Sequence, residues 1–71
     1  MKLSECKLGE IVQANDVDEF GIKPIGHIIG LDRVFYTSPK LGKTYYVIVI
    51  VEFVNGEKIS MHPDLLNKLE N

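Results

Sequence analysis

Between Thr44 and Phe53 the chain reads TYYVIVIVEF, and seven consecutive residues, Tyr45 to Val51, are apolar. A strand with one wet face alternates apolar and polar side chains. This run does not alternate, so both of its faces need cover. Its β-branched and aromatic residues predict a strand rather than a helix. A second extended run, IGHIIGLDRVFYT (25–37), precedes it, and Gly26 and Gly30 mark places where that run can bend or bulge. SPKLGK (38–43) reads as the turn between the two. GEIVQA (9–14) predicts a short first strand, and the polar NDVDEFGIKP (15–24) predicts a loop. EKISM (57–61) is the hairpin partner of 44–54, and HPDLLNKLEN closes the chain. Only that last segment carries helical signals. Pro63 suits a first helical position, Asp64 an N-terminal turn, and Leu65, Leu66 and Leu69 can share a face.

The register of the second hairpin follows from its side chains. A two-residue Asn55-Gly56 turn sets Phe53 opposite Lys58 and Glu52 opposite Ile59, two apolar–charged mismatches. A three-residue loop (Val54, Asn55, Gly56) pairs Phe53 with Glu57, Glu52 with Lys58, Val51 with Ile59 and Val49 with Met61. Apolar pairs then share a face and the charges are opposite in sign, so this register is expected, with Gly56 at positive φ. The two-residue turn is the alternative, because Asn-Gly is its strongest signal. The chosen register puts Tyr45, Val47, Val49, Val51 and Phe53 on the inner face. The expected core is Val12, Ile28, Val47, Val49, Val51, Phe53, Ile59 and Leu66. Tyr46, Ile48 and Ile50 face outward, covered by the loop 15–24 or the tail 62–71, or else left as a patch for a partner.

With 71 residues the chain is one domain, 1–71, and its single cysteine, Cys6, rules out an intrachain disulfide. An apolar fraction of 45% must supply the stability instead. The net charge of −2 gives no overall basic field for nucleic acid. MKLSECKLGE has no apolar signal-peptide core, and the longest apolar run is far short of the ~20 residues of a membrane-spanning helix. A cytoplasmic location is therefore expected.

The succession GEIVQA, GHI, YYVIVIVEFVNGEKISM, HPDLLNKL resembles small SH3-like barrels of the Tudor and KOW kind. The resemblance implies an all-β, five-stranded barrel with a 3-10 turn at 63–65 and a closing strand at 66–69. The whole chain also resembles the YorP family, small proteins of bacilli and their prophages. That likeness implies a phage-derived cytoplasmic protein and carries over no functional residue.

The binding modes of SH3-like domains find few matching residues. Proline-rich peptides need an ALYDY-type stretch and a groove tryptophan, and this chain has no tryptophan. A methyl-lysine cage needs several ring faces, and only Phe20 and Phe53 fall near the loop 15–24. No enzyme signature stands out either. His27 and His62 lack ligand-like neighbours, and Asp16-Val-Asp18-Glu19-Phe20-Gly21 has Phe20 and His27 where a calcium loop needs oxygen donors. Ser38 and Ser60 have no nucleophile-elbow context, and Gly26 to Gly30 is no phosphate loop.

The functional expectation is a non-catalytic interaction module with no cofactor and no metal, monomeric or weakly self-associating. Its surface is expected at Tyr36, Tyr45, Tyr46, Ile48 and Ile50, since tyrosine is enriched at binding surfaces. The alternative is a polyanion or nucleic-acid contact through Lys7, Lys40, Lys43 and Arg33, where basic groups mix with tyrosines.

Overall fold

The computed structural model describes residues 1–69, and strands dominate it. They are β1 (Ile11–Ala14), β2 (Ile25–Ser38), β3 (Gly42–Phe53), β4 (Lys58–Met61) and β5 (Leu66–Lys68). They form one antiparallel sheet in the order β4-β3-β2-β1-β5. The helical content of the described residues is two 3-10 turns, η1 (Leu3–Glu5) and η2 (Pro63–Leu65). No helix among them is long and apolar enough to cross a membrane. The all-β expectation is met as an open sheet: β4 and β5 are its two edges, linked in sequence by η2 and not paired with each other.

The terminal segment is a 3-10 turn followed by a strand. Pro63 starts η2, and His62 caps it, its Nδ1 accepting the Asp64 N–H at 3.3 Å. Leu66 then pairs with Ala14 in β1, which spends the chain's backbone donors on a ladder rather than on a helix. Glu70 and Asn71, at the end of the expected closing segment, lie outside the described residues.

The β3–β4 hairpin has the three-residue loop. Val49 pairs with Met61, Val51 with Ile59 and Glu52 with Lys58. The Phe53 N–H donates to the Glu57 carbonyl at 2.8 Å, and Gly56 sits at φ 89°. Lys58 Nζ lies 3.9 Å from Glu52 Oε2. Of the two glycines in β2, only Gly30 adjoins a bulge, where Ile29 is the extra residue between the Ile28–Val51 and Gly30–Ile50 pairs. Gly26 instead permits a close approach of two strands, since a Cβ there would lie 2.6 Å from the Glu52 carbonyl oxygen.

Six of the expected core residues are buried: Val12, Ile28, Val49, Val51, Phe53 and Leu66. Ile59 is a correction, 42% exposed because β4 is an edge strand. Val47 is a second correction. It is only half-buried, because the β3–β4 ladder ends at Val49. Cys6 and Ala14 complete the core instead. Cys6 arrives there because η1 folds the N-terminal segment over β5, with the Met1 ammonium donating to the Leu66 carbonyl at 2.9 Å.

β1 covers β2 only over residues 25–27, and β4 covers β3 only over residues 49–52. Beyond those points, residues 32–38 and 42–48 pair only with each other. They form a two-stranded arm that extends past the five-stranded body. The molecule is accordingly elongated, 40 × 25 × 19 Å. Its radius of gyration is 13.4 Å, against ~11 Å for a compact domain of this length.

Candidate functional site

The arm concentrates the exposed aromatic rings. Directly paired residues share a face, so Arg33, Phe35, Lys43, Tyr45 and Val47 lie on one side. Val34, Tyr36, Thr44, Tyr46 and Ile48 lie on the other. On the first side the Phe35 and Tyr45 rings are 5.7 Å apart, and the Arg33 guanidinium lies 5.1 Å from the Tyr45 ring centre. On the second, Tyr36 and Tyr46 are 5.8 Å apart, and Tyr46 is 6.3 Å from the His62 ring. An isolated two-stranded ribbon is marginal in water. These diagonal and direct ring pairs are what tie its strands together.

The five residues expected to form one surface are thus divided. Tyr36, Tyr46, Ile48 and Ile50 share a face, and Tyr45 is on the opposite one. Phe35 is the residue the pattern missed. It is 71% exposed, and the alternation Leu31, Arg33, Phe35 opposite Val49, Val47, Tyr45 carries it to the same side as Tyr45. The basic set is divided too. Lys40 and Lys43 are at the arm's tip and Arg33 is midway along it. Lys7 precedes β1, where the Gly9 N–H donates to the Ile28 carbonyl, so it belongs to the body. Nine residue steps along β2, roughly 30 Å of strand, separate Ile28 from Thr37, the partner of Lys43.

One groove lies at the arm's base and another at the far end of the β2–β3 ribbon. The first, of about 510 Å³, is bounded by Val34, Tyr46, Ile48, Ser60, His62 and Leu65. The outward apolar residues of β3 therefore have neighbours on that side. The η2 segment borders Ile48, and Ile50 sits over the hollow of Gly30, its Cδ1 3.5 Å from where a Cβ would be. Both are half-buried. The loop 15–24 packs elsewhere, at the far end of the β2–β3 ribbon. There a groove of about 610 Å³ is bounded by Phe20, Ile22, Ile25, Val54, Glu19 and Glu57, among others. Asp18 shapes that loop: its carboxylate accepts the Phe20 N–H at 2.8 Å and the Ile22 N–H at 3.0 Å.

Ser60, His62 and Asp64 come close together, which invites comparison with an activated serine. His62 Nδ1 accepts the Asp64 N–H at 3.3 Å and lies 3.5 Å from the Asp64 carboxylate oxygen Oδ2. No hydrogen bond among the described residues joins Ser60 to His62. Cys6 is buried, its thiol donating to the Lys2 carbonyl at 3.4 Å, and burial pushes the thiol up from its ordinary value. No group of three His, Cys, Asp or Glu side chains among the described residues is placed to hold a metal ion.

No family model matches the chain, and no curated protein or solved structure matches it.

Proposed function

We propose that the protein is a non-catalytic interaction module that grips its partner with the β2–β3 arm. The observation that carries this reading is the placement of the aromatic residues. Four of the six, Phe35, Tyr36, Tyr45 and Tyr46, are on the arm and at least 44% exposed. Side chains of that size add little to the core when left in water, and clustered exposed rings are the usual anchors of binding surfaces. An SH3-like architecture of prophage origin is part of the same proposal. The strand order β4-β3-β2-β1-β5, the long β2 shared by both halves of the sheet, and η2 between β4 and β5 support the SH3-like part. The test is binding of an apolar dye to the native protein. Wild type is expected to bind it, and a Phe35→Ser/Tyr45→Ser variant with an unchanged far-UV spectrum is expected to bind much less. Equal dye binding by the two proteins, or none by wild type, rejects the arm as the surface.

A second reading, contact with a polyanion such as single-stranded nucleic acid, is favoured by one observation. Residues 33–51 hold three basic and no acidic side chains, and the rest of the chain holds five basic and ten acidic. Arg33, Lys43, Phe35 and Tyr45 also share a face, which suits phosphate contact beside base stacking. Oligonucleotide titration at low salt tests it. Binding should weaken steeply with salt and with Lys40→Glu/Lys43→Glu. Absence of association at low ionic strength rejects it.

A further inference from the structure

Charge and apolar surface are sorted along the long axis of the molecule. At one end is the arm tip, with Lys40, Lys43 and Leu41, the last 76% exposed. At the other end is the groove between the loop 15–24 and the Val54–Glu57 turn. Its lining includes exposed apolar side chains, with Phe20 78%, Ile22 62% and Val54 86% exposed, beside the charged Asp18, Glu19, Lys23 and Glu57. Asp18 accepts two N–H groups of the loop, and with Glu19 and Glu57 it outnumbers the one cation of the lining, Lys23, so the groove is net acidic. None of Lys40, Lys43, Glu19 and Glu57 is in an ion pair among the described residues. Tip and groove lie at opposite ends of the β2–β3 ribbon and cannot meet within one molecule, because β2 starts at the groove and ends at the tip.

We infer that the arm's partner is a second copy of this chain, aligned antiparallel, with each tip seated at the other's acidic groove. The inference rests on the interaction reading above and names its partner. Two equal rods laid antiparallel bring both complementary ends together at once, so the contact closes on a two-fold axis and stops at two copies. Parallel alignment sets lysines against lysines and glutamates against glutamates.

Sedimentation equilibrium over a range of concentrations tests this. Wild type should form a two-copy species, with its dissociation constant rising at least about tenfold from ~0.01 M to ~1 M salt as the Debye length shrinks. Lys40→Glu/Lys43→Glu and Glu19→Lys/Glu57→Lys, each with a native far-UV spectrum, should be monomeric alone. Mixed one to one, they should recover the two-copy species, because each reversed end then finds its opposite. A monomeric wild type at every concentration, a mass that grows beyond two copies, or a mixture that stays monomeric overturns the inference. Dye binding by the monomer, lost in Phe35→Ser/Tyr45→Ser, separates that failure from failure of the interaction reading itself.

Discussion

The Arg33 guanidinium lies 5.1 Å from the centre of the Tyr45 ring, across the two strands of the arm. The two are diagonal neighbours, Arg33 pairing with Val47 and Tyr45 with Phe35. At an exposed site a cation over a ring contributes about 0.5–1 kcal/mol. A double-mutant cycle of Arg33→Gln and Tyr45→Leu, read by urea unfolding, should return a coupling of about 0.5 kcal/mol. A coupling of zero would mean that the contact does not hold the arm together.

Gly26 and Gly30 should respond oppositely to alanine. At Gly26 the new Cβ would meet the Glu52 carbonyl oxygen at 2.6 Å and Val51 Cγ1 at 2.8 Å. The oxygen belongs to the neighbouring strand's backbone and cannot rotate away, so Gly26→Ala should cost about 2–3 kcal/mol. At Gly30 the nearest atom is Ile50 Cδ1 at 3.5 Å, an ordinary contact. Gly30→Ala should stay within about 0.5 kcal/mol of wild type or gain stability, because alanine has less freedom to lose on folding. Thermal melts of the two variants decide it.

Gly56→Val isolates backbone conformation from packing. No atom lies within 4 Å of the position its Cβ would take, and its φ is +89°. The loss, about 1 kcal/mol or more, should therefore come from the positive φ alone. A domain of this size should show it as a fall in Tm of about 4–8 °C per kcal/mol. A melt like that of wild type would contradict the turn geometry.

Val49 and Ile59 face the same side of the β3–β4 pair yet differ in burial, 0% against 42% exposed. Val49→Asp strands a charge in the core and should leave no folded protein, since small domains hold only several kcal/mol of net stability. Ile59→Asp, on the edge strand, should fold with a loss of about 1–2 kcal/mol. Far-UV circular dichroism of both variants makes the comparison.

Cys6 should be inert in the folded protein. Its thiol is raised by burial first, opposed by the nearby N-terminal ammonium and reinforced by Glu5 and Glu10. A raised folded-state value means that the unfolded chain ionises sooner. The contribution to stability is then fully present below the unfolded value of ~8.5 and is lost as pH rises through the folded one. Native protein at neutral pH should react slowly with a thiol reagent and denatured protein quickly. Cys6→Ala should remove the alkaline part of the decline in urea midpoint.

Local pattern carried much of the fold. The register at Phe53–Glu57 was legible because a one-residue slip sets Glu52 against Ile59, and that cost is set by neighbouring side chains alone. Pro63, Asp64 and the leucines after them carried helical signals locally, and the turn followed by a strand there was implied only by the resemblance to small barrels. The site was less legible. Alternation already separates Tyr45 from Tyr46, but placing Phe35 opposite Tyr45 requires the full β2–β3 pairing, including the single extra residue at Ile29.

The sequence by itself determined that this is a strand protein, where its hairpins turn, and which residues of β3 point inward, because those choices depend on near neighbours and on a period of two. Only the tertiary structure decided where β1 and β4 stop covering the long strands, and so which part of β2 and β3 becomes an exposed arm. That division also turned Val47 and Ile59 from core residues into partly exposed ones and brought Cys6 inside. Burial is a property of what lies across the sheet, contributed by segments distant in the chain. No spacing along a single strand encodes how far its neighbours extend.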